Sequence, residues 1–165
     1  DSPRNLVSAT FHTAALTHPD PGPAWAAVAV NVALATFIQG KRDFVPAVLE
    51  VLRGNSVPEA LLAAVRRIPL GRRQGLPDPA VAGAEAVAAA ETVLWLAYHE
   101  PLLTRGLEAL AEAGSPSAPV AIAAGALMGA RDGSAAVPAA LLPDGHALAD
   151  WDALADRLAR VAAPV

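Results

Sequence analysis

An all-α fold, a multi-helix orthogonal bundle, is what this sequence predicts, and three observations carry it. Alanine makes up about a quarter of the 165 residues, and Ala, Leu and Glu fill the stretches between prolines and glycines. These residue types favour helix. Alternating runs of β-branched or aromatic residues are scarce, so the strand signal is weak. Helix-length segments follow one another across short turns without an internal repeat, which favours a compact bundle over a solenoid.

Each element has its own punctuation. Residues 3 to 17 read as a helix with Ser2 as N-cap and Pro3 at its first position. The turn His18-Pro19-Asp20-Pro21-Gly22-Pro23 stops it, because proline restricts its predecessor and cannot continue the ladder. Residues 24 to 39 form the second helix, closed by Gly40 as a C′ residue. Asp43 caps a short helix to residue 52, closed by Gly54-Asn55. Ser56 caps another to residue 68, with Pro58 and Glu59 in its first turn. Asp78-Pro79 opens the longest helix, ending near His99, and Pro101 separates it from a helix over 102–112. Residues 120 to 130 are apolar all round, the pattern of a central buried helix. A short piece over 134–141 and an amphipathic helix over 149–161 complete the chain.

Composition excludes several classes. With 54% hydrophobic and 17% charged residues the chain is no disordered tail. A formal charge of −4 predicts no broad attraction to nucleic acid or to an acidic membrane. The absence of cysteine rules out a disulfide scaffold, a thiolate zinc site and a thiol nucleophile. No leader pattern is read at Asp1-Ser2-Pro3, and the longest apolar stretch, 24–38, is short for a membrane span and holds Asn31 and Thr36. The expectation is one helical unit over residues 1–165, in the cytoplasm and off the membrane.

Three segments then matter together. The first is Ala14-Ala15-Leu16-Thr17-His18-Pro19-Asp20-Pro21, followed by an apolar helix and Gly40. The second is Ala121-Ile122-Ala123-Ala124-Gly125-Ala126-Leu127-Met128-Gly129-Ala130-Arg131-Asp132-Gly133, and the third is Ala136-Val137-Pro138 with the closing segment 148–159 behind it. In order and spacing they resemble the C-terminal half of the ADP-ribosylglycohydrolase family, with its Ala-x-Leu-Thr-His-Pro stretch, its Ala-Ala-Ile-Ala-Gly-Ala-Leu-Leu-Gly-Ala-Arg-x-Gly helix and its Ile-Pro. The resemblance implies an all-α fold and magnesium-dependent hydrolysis of ADP-ribosyl groups. It also implies an N-terminal half, outside this chain, that carries a Thr-Asp-Asp metal motif and a Ser-Asn-Gly segment near the substrate.

One departure is chemically sharp. The family's Gly-Gly-Asp-Thr-Asp-Thr run precedes the helix of the second segment and supplies carboxylates to magnesium. Aligned without gaps from Gly129, it falls on Gly114-Ser115-Pro116-Ser117-Ala118-Pro119. Magnesium prefers charged oxygen ligands in octahedral geometry, whereas Pro116 and Ala118 bring no side-chain oxygen and Ser115 and Ser117 only neutral hydroxyls. Asp132 lies about 22 Å further along a straight helix, and Glu108 and Glu112 lack the two-residue spacing. The chain therefore reads as a degenerate relative, a pseudoenzyme that holds an ADP-ribose-like ligand or acts as a scaffold. No magnesium or other cofactor, and no metal ligand or catalytic residue, is expected from these residues. His18, Gly114, Ser115 and Ser117 are the ligand-contact candidates the resemblance implies. The other reading is an active ADP-ribosyl hydrolase whose metal and catalytic residues lie in the N-terminal half. The expected partner is that half or a second copy, since so apolar a chain should leave a hydrophobic face uncovered.

The remaining polar residues have ordinary readings beside the functional ones. His18 stands at a helix C-terminus, where the macrodipole also favours histidine. His12 lies on a different helical face and makes no metal pair with it. His99 reads as a helix-end residue and His146 as a loop residue. The basic run from Arg66 to Arg73 reads as a solvated turn, with a phosphate clamp the alternative. Glu85/Glu91 and Asp150/Asp152/Asp156 read as solvated faces rather than a glycosidase dyad. Trp25, Trp95 and Trp151 are expected to anchor packing, and Met128 to fill core.

Overall fold

The computed structural model describes residues 3–70, 85–113, 118–142 and 145–162, and every regular element within them is helical. Helix α1 (Pro3–Ala15) folds back on α2 (Pro21–Ile38). Phe11 meets Trp25 with ring centroids 4.9 Å apart, and the Asn31 amide donates to Thr10 Oγ1 at 3.1 Å. The expected cap at Ser2 lies outside the described residues. Helix α1 stops two residues before Thr17, because the amides of Thr17 and His18 both turn back to the Ala14 carbonyl.

Helix α2 starts at Pro21 rather than at residue 24. The Asp20 carboxylate accepts the Gly22 amide at 3.1 Å and caps the helix. Prolines 21 and 23 sit in the first turn, where no intrahelical N–H is needed. The other end matches the expectation for Gly40. At φ +75° it takes the left-handed conformation, its amide reaching the Phe37 carbonyl at 2.8 Å and the Lys41 amide the Thr36 carbonyl at 3.1 Å. These two bonds are the Schellman pattern.

Asp43 caps α3 (Val45–Arg53) through the Val45 amide at 3.1 Å. The Asn55 side-chain amide, from Nδ2, closes that helix on the Val51 carbonyl at 2.8 Å. Ser56 does not cap α4 (Glu59–Arg67): Pro58 holds an extended entry (φ −56°, ψ 128°), and the helix begins beyond the serine with no side-chain cap bond. A 3₁₀ turn, Ile68–Leu70, follows. Helix α5 runs from Glu85 to His99, and the expected start at Asp78-Pro79 lies outside the described residues. Helices α6 (Leu103–Glu112) and α7 (Ala118–Asp132) come next, then 3₁₀ turns at Ser134–Ala136 and Ala139–Leu141, and finally α8 (Gly145–Ala162).

The centre of the bundle is α2. It packs against α1, α3, α4, α5 and α7, burying Trp25, Val28, Ala29, Val32, Ala33 and Phe37. Its alanines let neighbours approach, and buried Thr36 satisfies its hydroxyl on the Val32 carbonyl at 2.8 Å. It is long and apolar enough to match a membrane span, but most of it is buried among its neighbours as a core helix. Helix α7, expected to be buried all round, is covered on one side only. Ala124, Leu127 and Met128 face the core, while Ile122 is 71% exposed and Gly125 and Gly129 look into open space. The apolar composition of α7 is real, but no described element lies against its second face. Trp151 likewise fails to anchor packing, at 61% exposed, whereas Trp25 and Met128 are buried as expected.

Candidate functional site

Among the described residues, the most connected polar group lies where three helix ends meet. Arg131, in the last turn of α7, donates from Nη1 to the Ala97 carbonyl at 2.7 Å and the Glu100 carbonyl at 2.6 Å. These carbonyls belong to the C-terminal end of α5, which lacks intrahelical donors and carries partial negative charge. The same guanidinium grips Asp132 with two parallel bonds, Nε to Oδ1 at 2.6 Å and Nη2 to Oδ2 at 2.7 Å. Asp132 Oδ2 also accepts the Leu103 amide at 2.9 Å, capping α6, whose own boundary residue Leu102 offers no oxygen. Both side chains are nearly buried, 7% and 9% exposed. The Arg131 hydrogen bonds and charge, the Leu103 amide and the positive charge of Arg42 together outweigh burial and hold the Asp132 carboxyl below its ordinary value.

Beside this clamp opens a groove of about 430 Å³ lined by Arg42, Asp43, Ala97, Tyr98, Glu100, Pro101 and Arg131. Asp43 is engaged in its cap and Arg131 in the clamp, while the exposed Arg42 lends its charge to Asp132. Tyr98 is fixed edge-on between Phe44 and His99, with centroids 6.0 and 5.0 Å away. No two of the residues lining this groove form a nucleophile–base pair.

The resemblance places the site at the opposite end of α7. That helix has 15 residues, so roughly 21 Å separate its ends. Gly114, Ser115, Pro116 and Ser117 lie outside the described residues. Ala118 and Pro119 form the exposed first turn of α7 and present carbon alone. Asp132, the nearest carboxylate on that helix, is committed at the far end. Among the described residues no three His, Asp or Glu side chains gather as a metal site, so these residues do not fit a magnesium pair.

His18 is exposed just beyond α1. Its Nδ1 lies 2.8 Å from Thr17 Oγ1, which also donates to the Ala14 carbonyl at 3.2 Å. No hydrogen bond among the described residues joins His18 to α7. His12 donates to the Ser8 carbonyl at 2.7 Å within α1. His99 is a helix-end residue that ties two elements together. Its Nε2 donates to the Ile68 carbonyl at 2.6 Å, and its ring stacks on Trp95 at 4.6 Å. Arg66 pairs with Glu59 and Arg67 with Glu91, both at 3.1 Å, which matches the ordinary reading of that basic run; Arg72 and Arg73 lie outside the described residues.

Sequence reasoning missed the clamp because Asp132 and its capped amide are 29 residues apart. The one signal for it was the Ala-Arg-x-Gly ending of the second segment. Neither the curated proteins nor the solved structures contain a match to this chain. The family model described as ADP-ribosylglycohydrolase matches residues 1–164.

Proposed function

This chain belongs to the ADP-ribosylglycohydrolase family, and from that membership we propose a degenerate relative that performs no magnesium-dependent hydrolysis with its own residues. It keeps the helical frame and serves as a binding or scaffold protein for an ADP-ribose-like ligand. One observation carries this reading. The first turn of α7, where the resemblance places a metal carboxylate, begins with Ala118 and Pro119, and the only acid of α7 is held in a clamp at its other end. A hydrocarbon side chain cannot replace a charged oxygen ligand of magnesium. His18, exposed just beyond α1, and Gly114, Ser115 and Ser117 before α7 are the proposed ligand contacts.

A second reading has an observation in its favour. The open face of α7, with exposed Ile122 and Ala126 and with Gly125 and Gly129 unobstructed, suits further protein packed closely on it. An N-terminal half seated there could bring its own carboxylates, and the assembled protein would then be an active ADP-ribosyl hydrolase.

Titration calorimetry with magnesium, with and without ADP-ribose, separates the two when paired with release of ADP-ribose from a modified arginine peptide. The favoured reading expects no magnesium heat at micromolar concentrations and no turnover that a chelator abolishes. Chelator-sensitive turnover overturns it. Replacing both lost positions, Pro116→Asp with Ala118→Asp, should restore magnesium binding if only those side chains have decayed.

A further inference from the structure

Helix α8 is amphipathic and exposed from residue 149 to residue 161. Trp151, Leu154, Leu158 and Val161 are 52–85% exposed, and α8 lies along no other helix among the described residues. Their spacing of three, four and three residues is a heptad seam, with Trp151 and Leu158 at a positions and Leu154 and Val161 at d. A helix this apolar on one side is stable in water chiefly through packing of that side.

The charges on its flank select the occupant. Asp150 and Arg157 take the two g positions beside the seam, and the e position between them is Ala155. In a parallel pair, g faces e of the partner, so Asp150 would meet only an alanine. In an antiparallel pair, g faces g. Placing Trp151 opposite Leu154 of a second copy then sets Asp150 against Arg157 of that copy, and the two-fold axis repeats the contact. In the same register the small Ala155 lets the two helices approach. Asp150, Asp152 and Asp156 outnumber Arg157 and Arg160, so an anionic lipid surface is a poor occupant for this face. We propose that α8 is a dimerisation helix, pairing antiparallel with α8 of a second copy through Trp151 and Leu154, with orientation set by reciprocal Asp150–Arg157 ion pairs.

Sedimentation velocity across micromolar concentrations tests this on the intact chain. The wild-type chain should show a reversible monomer–dimer equilibrium. Asp150→Arg and Arg157→Asp should each weaken it by about tenfold, since each turns two attractive contacts into two repulsive ones. An equimolar mixture of those two variants should regain wild-type association, because each supplies the charge the other lacks. Leu154→Asp should abolish dimers. All these side chains are exposed in the monomer, so far-ultraviolet circular dichroism should remain unchanged. A wild-type chain monomeric throughout, charge reversals without effect, or a mixture that fails to recover association would each overturn the proposal. Association that survives Leu154→Asp would place the contact on another face and overturn it equally.

Discussion

Arg131 and Asp132 are adjacent in the chain, yet between them they terminate three helices. Arg131 satisfies two carbonyls at the end of α5, and Asp132 supplies the oxygen that α6 lacks at its start. The pH dependence of stability follows from the lowered Asp132 pKa. Above the ordinary aspartate value, the native and unfolded chains are both ionised and the full contribution is present. As pH falls through that value the unfolded chain takes up a proton that the native chain resists. The contribution then declines and is gone below the native pKa. Asp132→Asn should therefore cost about 1–3 kcal/mol at neutral pH and flatten the loss of stability between pH ~5 and the acid limit. Urea midpoints collected across that range check both statements, and an unchanged acid limb would show that Asp132 does not set it. His18 illustrates the opposite case: its position after Leu16 and Thr17 was plain in the sequence, while among the described residues its ring bonds only to its neighbour Thr17.

At the scale of elements, close approach between α6 and α7 depends on one missing side chain. A Cβ at Gly106 would fall 2.6 Å from Met128 Cε, and Met128 is fully buried. The thioether is flexible, but its surroundings are packed, so Gly106→Ala forces it off its rotamer against Leu127 and the rest of the core. The helix-propensity gain of about 1 kcal/mol is then outweighed by overpacking of roughly 1–3 kcal/mol, and a net loss is expected. Thermal melts of Gly106→Ala alone and with Met128→Ala separate the terms: the second change should relieve the overlap, so the pair of substitutions should cost less than the sum of the two. Strict additivity would mean that the helices do not meet at this point. The glycine is visible in the sequence, but its partner 22 residues later is not.

Across the whole molecule, protection should be graded about α2. It is flanked by five helices, whereas α8 is exposed from residue 149 to residue 161. Amide hydrogen exchange measured on dilute monomer should be slowest in α2 and fastest in α8, with α7 between them, because local opening of α8 exposes little that is not already exposed. Equal protection of α8 and α2 would contradict this arrangement of the core.

The sequence by itself determined the helical class, the proline break that ends the first helix, the Gly40 terminus and the Asp43 cap, while the start of α2 at Pro21 fell inside the expected turn. Propensities and caps act over a few residues, so their causes lie within a short window. The order of the three motif segments likewise carried the family, since it is a property of the chain rather than of its packing. Tertiary structure alone decided that α2 rather than α7 is central, that Asp132 serves an amide 29 residues away, and that Trp151 faces solvent. An apolar stripe says that a surface should be covered; only the meeting of distant segments says by what, and on the outer face of α7 and on α8 beyond its first turn the described residues supply no such partner.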